Sequence, residues 1–188
     1  MKEQGLVAIG ASWGGLDALR AILSALPGDF GAAVVVAQHR SPDSHRGAFR
    51  ELLAAVTRLK VCEADDKDEL RASQVYLAAP DYHLLVEDGR LSLSTDDPVQ
   101  FARPSIDVLL ASAAEAYRER CVGVVLTGAN ADGADGLARI VELGGTAIVQ
   151  DPETAARPEM PCAALAAVPD ARVAAPGEIG PILAELCS

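Results

Sequence analysis

Two short apolar runs on either side of a helix-like segment constrain the fold of this chain more than any other feature. The first run is GLVAIG, residues 5–10, and the second is AAVVVAQH, residues 32–39, which is rich in β-branched valine. Continuous apolar runs of this length are typical of parallel strands that are covered on both faces. Between them, leucine and isoleucine recur at helical spacing until Pro27 and Gly28. The pattern predicts a strand-helix-strand unit with a right-handed crossover.

The same alternation continues to the end of the chain. A strand is predicted at residues 121–126, followed by a glycine-rich loop, a helix and another strand at residues 145–150. Residues 82–94 differ, because two alternating runs are joined there by Asp88-Gly89, which is typical of a hairpin. Aromatic residues make up only 4% of the chain, which suits closely packed helix and sheet layers. The pattern predicts an α/β fold with a mostly parallel sheet and an antiparallel hairpin insertion.

Length, charge and cysteine usage limit the classes of function. A chain of 188 residues without repeats or linkers fits one domain, so residues 1–188 are expected to form a single domain. A net charge of -11 opposes nucleic-acid binding, which relies on clustered lysine and arginine. No apolar run approaches the ~20 residues that cross a bilayer, so we expect a soluble, cytoplasmic protein without direct membrane insertion. The four cysteines are far apart and predict neither a zinc site nor a disulfide framework.

Three strands are predicted to deliver reactive side chains to one edge of the sheet. Ligands bind open parallel sheets outside the carboxyl ends of the strands. There the first strand leads to Ser12, the second ends at His39, and the strand at 121–126 leads into a loop that contains Asp132. A nucleophile, a general base and a carboxylate that orients the base are the parts of a catalytic triad.

Ser12 is the candidate nucleophile. Residues 10–14, GASWG, fit the G-x-S-x-G pattern between a strand and a helix, where small neighbours allow a sharp turn. The backbone N–H of Trp13, at the start of the helix, is the first candidate donor to an oxyanion. The alternative is a glycine turn that packs the helix or holds a pyrophosphate. Against it, Ser12 stands where a dinucleotide fingerprint has glycine, and the second strand ends in Gln38 and His39 rather than an acid.

Other interpretations stay open for the histidine and the aspartate. A lone histidine at a strand end is commonly satisfied by the backbone, although of the three histidines only His39 is placed to reach Ser12. Asp132 could simply cap the helix that follows it, and Asp135 is a rival carboxylate. A calcium loop fits poorly, because Arg139 stands where a bidentate glutamate is required. The order Ser, His, Asp differs from that of α/β-hydrolases, so a triad here would be convergent.

Six segments of the chain resemble a known family. They are VAIGASWGG, VVVAQH, YLAAPDYHLLVEDG, RPSIDVLLASAA, GVVLTGANADGADGL and AIVQDPETA. In order, and over nearly the whole chain, they resemble the catalytic domain of the CheB-type chemotaxis protein-glutamate methylesterases. The resemblance implies a three-layer α/β/α, doubly wound domain. It also implies that Ser12 is the nucleophile, His39 the general base and Asp132 the third triad member, with the backbone N–H of Ala129 as a second oxyanion donor.

The resemblance implies a serine esterase that hydrolyses γ-glutamyl methyl esters on chemoreceptors to glutamate and methanol, and that also deamidates receptor glutamines. Such chemistry requires no cofactor and no metal. The implied partners are the cytoplasmic helices of methyl-accepting chemoreceptors, or another methylated protein. The alternatives are a catalytically silent signalling or interaction module and a nucleotide-binding domain of the same fold.

The chain departs from the family pattern in three places. The family usually carries a receiver domain ahead of the catalytic domain, whereas here the first strand starts about where the chain does, so we expect activity without phosphorylation in cis. Trp13 stands where threonine is common, and a TGMG turn reads TGAN at residues 127–130.

The acidity of the chain bears on how it would meet acidic receptor helices. Such a pairing needs a local basic lip, because the overall charge gives no attraction. The candidates for this lip are the basic residues that follow the second strand: Arg40, His45, Arg46 and Arg50. The alternative is that they are ordinary solvated charges of a loop.

Overall fold

The computed structural model describes residues 5–40 and 47–188, which are built around a sheet of parallel strands. The strands of this sheet are β1 Gly5–Ala11, β2 Ala32–Gln38, β3 Lys60–Glu63, β4 Gln74–Leu77, β7 Cys121–Val125, β8 Thr146–Gln150 and β9 Arg172–Ala174. Their order across the sheet is β3-β4-β2-β1-β7-β8-β9, and every neighbouring pair is parallel. Strands β5 His83–Glu87 and β6 Arg90–Ser94 form the separate antiparallel hairpin that the Asp88-Gly89 turn predicts.

Helices cover both faces of the sheet. They are α1 Gly15–Ser24, α2 Ala48–Ala54, α3 Ile106–Tyr117, α4 Ala134–Glu142, α5 Glu159–Ala167 and α6 Pro176–Leu186. One apolar core joins the sheet to α3, α4, α5 and the hairpin, and a second core joins its other face to α1, α2 and α6. The prediction of a three-layer α/β/α fold with a mostly parallel sheet and a hairpin insertion is therefore confirmed. None of the helices in the described ranges is long and apolar enough to span a membrane.

The centre of the sheet is apolar because its strands are covered on both faces. All seven residues of β2 and all five of β7 are buried. Side chains alternate between the two faces of a strand, so both faces need apolar residues, and this explains the uninterrupted valine-rich runs in the sequence.

The parallel register brings the ends of the central strands level with one another. Gly10 of β1 pairs with Ala37 of β2 and with Val125 of β7. Backbone bonds continue this alignment past the strands, since the N–H of His39 donates to the carbonyl of Ala11 at 3.0 Å. The segments that follow β1, β2 and β7 therefore lie together at the carboxyl edge of the sheet.

Candidate active site

Ser12 lies in a sharp turn between β1 and α1. Its N–H donates to the carbonyl of Thr127 at 3.0 Å, and its own carbonyl accepts from the N–H of Gly15 at 2.9 Å. The turn depends on Gly14, which has a φ of 79° and where a Cβ would lie 2.6 Å from the Cβ of Ala156. Only glycine combines that backbone angle with that close approach. The half-buried Ser12 hydroxyl therefore extends from a backbone that is fixed on both sides.

His39 joins Ser12 to Asp132. Its Nδ1 lies 3.2 Å from the Ser12 Oγ, and its Nε2 lies 2.8 Å from the Asp132 Oδ2. A neutral ring with its proton on Nε2 fits this network, because Nε2 then donates to the carboxylate while Nδ1 accepts the serine O–H. The structure thus brings together three predicted site residues whose positions in the chain are far apart.

Asp132 is fully buried and accepts four hydrogen bonds. The Oδ2 atom accepts from His39 and from the N–H of Ile106 at 2.7 Å, and the Oδ1 atom accepts from the Ser105 hydroxyl and the Asp107 N–H, both at 2.9 Å. Two carboxylate oxygens offer about four lone-pair sites, so this side chain is saturated. Three of its four donors belong to the N-terminal end of α3.

The hydrogen bonds of Asp132 keep it charged. Burial by itself would raise the pKa of this carboxyl, but the hydrogen bond from His39 and those from the amides of Asp107 and Ile106 outweigh burial and lower the pKa below its ordinary value. A carboxylate that stays ionised at neutral pH behind the ring stabilises a histidine that has accepted a proton.

The structure separates Asp132 from its rival. Asp135 lies in the first turn of α4 and is exposed, with no hydrogen bond to His39. The interpretation of Asp132 as the cap of its own helix is wrong, because the N-cap residue of α4 is Gly133 and the Asp132 side chain binds the start of α3 instead.

Sequence reasoning missed the part that Gln38 takes in this site. Its buried side chain donates from Nε2 to the carbonyl of Ser12 at 2.7 Å and to the carbonyl of His39 at 3.0 Å. A single amide group therefore connects the backbones that carry the serine and the histidine. The signal for it is a polar residue that ends the otherwise apolar strand β2.

Gln150 and Thr127 form a similar connection on the other side of β1. The Thr127 N–H donates to the Gln150 Oε1 and its hydroxyl donates to the carbonyl of Trp13, both at 2.9 Å. The Thr127 hydroxyl also accepts from the N–H of Arg157 at 2.9 Å. The loop after β7 is thereby attached to the turn that carries the nucleophile.

The two predicted oxyanion donors are free to bind a ligand. Within residues 5–40 and 47–188, neither the Trp13 N–H nor the Ala129 N–H donates a hydrogen bond, and both residues are exposed. The loop that carries Ala129 touches the nucleophile, since a Cβ built on Gly128 would lie 2.8 Å from the Ser12 Cβ. Their role as donors to an oxyanion stays a prediction.

A cavity of about 530 Å³ opens beside His39. Its wall includes Arg40, Phe101, Arg103 and Asn130, and the Phe101 ring is wholly exposed. A second exposed aromatic side chain, Trp13, directly follows the nucleophile. These surfaces give a substrate both apolar and cationic groups to contact at the carboxyl edge.

Arg157 adds a cation to the nucleophile side of that edge. Its guanidinium lies over the Trp13 ring, 5.7 Å from the centroid, and Trp13 itself is 67% exposed. A guanidinium within about 6 Å of an aromatic ring is attracted by the ring face.

The predicted basic lip is only partly described by the structure. Arg40 donates to the carbonyl of Ala78 at 2.8 Å, stacks over the Phe49 ring and lines the cavity beside His39. Arg50 is paired with Glu51 at 3.6 Å. His45 and Arg46 lie outside the described residues.

Among the described residues, no group of three or more histidine, cysteine, aspartate or glutamate side chains could hold a metal ion.

Comparison with known proteins gives a consistent result. A family model described as CheB methylesterase matches residues 7–183. A protein of Leptospira interrogans, provisionally named a protein-glutamate methylesterase/protein-glutamine glutaminase, is 46% identical over 162 residues, which cover 86% of this chain and 83% of that protein. A protein-glutamate methylesterase/protein-glutamine glutaminase of Anaeromyxobacter dehalogenans is 44% identical over 80% of this chain, and the match spans only 44% of that longer protein.

A solved structure shares the fold over almost its full length. The CheB methylesterase catalytic domain of Thermotoga maritima superposes with a TM-score of 0.92 at 33% sequence identity. The match covers 98% of this chain and 99% of that one. The likeness therefore extends to all the layers described above.

Proposed function

The chain belongs to the CheB methylesterase family, and on that premise we propose that it is a serine esterase that hydrolyses γ-glutamyl methyl esters on chemoreceptors to glutamate and methanol. The observation that carries the proposal is the hydrogen-bonded series from the Ser12 hydroxyl through His39 to the buried carboxylate of Asp132. This is the arrangement that converts a weakly nucleophilic hydroxyl into an attacking group.

The first half of the reaction forms an ester between substrate and enzyme. The Ser12 Oγ attacks the carbonyl carbon of the methyl ester while its proton passes to the His39 Nδ1, which lies 3.2 Å away. The resulting imidazolium donates from Nε2 to Asp132, whose negative charge stabilises it. The bond from the carbonyl carbon to the methoxy oxygen then breaks, and His39 returns its proton to that oxygen, so methanol leaves.

The second half releases glutamate. A water molecule attacks the carbonyl carbon of the glutamyl-serine ester and gives its proton to His39. When the bond to the Ser12 Oγ breaks, that proton returns to the serine and the free enzyme is restored. A glutamine side chain would follow the same path with ammonia as the leaving group, which would account for a second, deamidating activity.

The oxygen that becomes negative in each half needs hydrogen-bond donors. We propose the N–H groups of Trp13 and Ala129 for this role, because neither has an acceptor among the described residues. Removing one such donor from other serine hydrolases lowers the rate by about 10² to 10³. Backbone donors do not depend on side-chain identity, so the change from the common sequence at 127–130 leaves both available.

The proposed partners are the cytoplasmic helices of methyl-accepting chemoreceptors or another methylated protein, and the proposed location is the cytoplasm. We also propose that residues 1–188 make up one catalytic domain, because every described helix packs on the single seven-stranded sheet. Neither a metal nor an organic cofactor enters the proposed reaction.

Substitution of the nucleophile tests the proposal directly. Ser12→Ala should lower ester hydrolysis on the order of 10⁶-fold, as loss of the nucleophile does in serine proteases, and abolish covalent labelling by a fluorophosphonate. The matched control is Ser24→Ala at the end of α1, an exposed serine whose hydroxyl donates to the carbonyl of Ala21 in its own helix. Release of methanol from methylated receptor and fluorophosphonate labelling with mass-spectrometric site mapping are the measurements.

The two alternatives give different results in the same experiment. A catalytically silent interaction module would bind receptor helices but leave wild-type Ser12 unlabelled. A nucleotide-binding domain would also stay unlabelled and would gain thermal stability with nucleotide. Wild-type turnover by a folded Ser12→Ala protein would contradict the proposed mechanism.

A further inference from the structure

Helix α4, which follows Asp132, has no capping side chain of its own. Its N-cap residue is Gly133, with a φ of 101° and no side-chain hydrogen bond. The first N–H groups of a helix need acceptors from elsewhere when the N-cap residue supplies none. The acceptor in this fold comes from another helix.

That acceptor is the carboxylate of Asp107, in the first turn of α3. Its Oδ1 accepts from the N–H of Gly133 at 2.9 Å and from the N–H of Gly136 at 2.8 Å, across 26 and 29 residues of sequence. In the opposite direction, the N–H of Asp107 donates to the Oδ1 of Asp132 at 2.9 Å. Each aspartate thus accepts hydrogen bonds from the backbone of the other one's helix or loop.

The two helix starts are also in direct backbone contact. A Cβ built on Gly136 would lie 2.7 Å from the Leu110 Cβ and 2.9 Å from the carbonyl oxygen of Asp107. Such distances leave no space for a side chain at Gly136. The exchange of hydrogen bonds therefore joins two helices whose N-terminal ends already touch.

The half-buried Asp107 side chain meets polar and charged groups from three parts of the chain. Its Oδ2 accepts from the Gln100 Nε2 at 2.8 Å. Burial raises its pKa to about 6; the amides of Gly136 and Gly133 oppose this shift, and the negative charges of Asp132 and Asp135 add to it. Asp132 keeps its charge, so Asp107 is the member of this carboxylate pair that takes up a proton first.

We propose that Asp107 is a positioning residue for the esterase reaction, which sets the place of the Asp132 carboxylate by holding the start of α4 against the start of α3. The proposal rests on the proposed function, because Asp107 acts through Asp132 and His39. Asp107 makes no contact with either His39 or Ser12 among the hydrogen bonds described, so it is not itself a catalytic residue.

Three substitutions separate the position of this carboxylate from its charge. Asp107→Asn keeps an oxygen that can accept from both amides but removes the charge. Asp107→Glu keeps the charge but displaces it by one methylene group. Asp107→Ala removes both, and Asp135→Ala is the matched control, since Asp135 is an exposed aspartate in the first turn of α4.

Rates with a small activated ester, p-nitrophenyl acetate, supply the first measurement. We expect kcat within about threefold of wild type for Asp107→Asn, about 10-fold lower for Asp107→Glu and about 10 to 100-fold lower for Asp107→Ala, because misplacement of a catalytic group by about 1 Å can cost up to about 10²-fold in rate. KM should stay unchanged throughout. If Asp107→Ala fails to fold, the order of the Asn and Glu variants still decides: a Glu variant more active than the Asn variant would overturn the proposal.

Nuclear magnetic resonance supplies a measurement that needs no activity. The His39 Nε2–H resonance, which depends on the hydrogen bond to Asp132, should persist in wild type, Asp107→Asn and Asp135→Ala and weaken in the Ala and Glu variants at Asp107. Unchanged resonances and rates in folded Asp107→Ala would overturn the positioning role. A wild-type protein that neither hydrolyses esters nor reacts with fluorophosphonate would contradict the proposed function alone, since the resonance would still report on Asp107.

Discussion

The two ends of the Ser12-His39-Asp132 series are held in opposite ways. The Ser12 side chain is half-buried, and His39 is the one described group that its Oγ contacts by a hydrogen bond. The Asp132 side chain is fully buried and has four donors. A nucleophile must reach the substrate, so only its backbone can be fixed, whereas an orienting carboxylate works from behind and can be fixed completely.

This difference separates catalysis from stability within one site. Changing Ser12 removes chemistry but few contacts, while changing Asp132 leaves buried donors without an acceptor. An unsatisfied buried polar group costs about 1–3 kcal/mol. Substitutions at the carboxylate end should therefore reduce both rate and stability, and substitutions at the nucleophile end should reduce rate alone.

Asp132→Asn is expected to have the largest combined effect on activity and stability. The same substitution in serine proteases lowers kcat on the order of 10⁴-fold, because the histidine is left in the wrong tautomer. An asparagine also turns one acceptor into a donor beside the α3 amides, so the melting temperature should fall as well. Measurements of kcat and of thermal unfolding test both parts.

Asp135→Asn is the control for that experiment, and it should keep nearly full activity. An inactive Asp135→Asn beside an active Asp132→Asn would reverse the assignment of the carboxylate.

Gln38→Ala should have the next largest effect, with a moderate loss of both activity and stability. The change removes the amide that bonds to the carbonyls of Ser12 and His39, so the two side chains lose a shared support. We expect kcat about 10-fold lower and a destabilisation of about 1 kcal/mol. Steady-state kinetics and chemical unfolding are the measurements, and the control is Gln74→Ala, at the start of the neighbouring strand β4 and so at the amino edge of the sheet. Equal losses of activity in Gln38→Ala and Gln74→Ala would show that the Gln38 amide does not support the active site specifically.

Asp107→Asn should change stability in a way that depends on pH. Burial, with the nearby Asp132 and Asp135 carboxylates, raises the folded-state pKa of Asp107 from 3.8 to about 6. The stability that this proton supplies is complete below the unfolded pKa and is lost as the pH rises through the folded pKa. The melting temperature of Asp107→Asn relative to wild type should therefore rise from about pH 4 to a little above pH 6 and stay level at higher pH. A melting-temperature difference between Asp107→Asn and wild type that does not change with pH would contradict the raised pKa of Asp107.

Trp13→Thr should have the smallest effect, and one confined to substrate choice. Its ring is largely exposed and contacts Arg157, so little stability depends on it. We expect a change of a few-fold in the ratio of kcat/KM for receptor methyl ester to that for p-nitrophenyl acetate, with the melting temperature within about 1 °C of wild type. Identical ratios in both proteins would mean that the indole does not meet the substrate.

The element pattern could be predicted because it is local. Apolar runs and helical spacing locate β1, α1 and β2, and the Asp88-Gly89 pair locates the hairpin turn. The proximity of Ser12 and His39 also follows from the sequence, since both come directly after neighbouring parallel strands whose ends must lie level. Gln38 was missed because a polar residue at a strand end does not reveal which carbonyl it will meet.

The sequence by itself therefore determined the layers of this protein and the edge of the sheet where its reactive residues gather. Only the tertiary structure decided which ring nitrogen of His39 faces Ser12, and why Asp132 rather than Asp135 faces His39. The contacts that fix Asp132 join residues 25 to 27 positions apart, from the start of α3 to the loop before α4. Partners at such separations leave no periodic signal in the sequence, and their distances are set by how closely two helices pack.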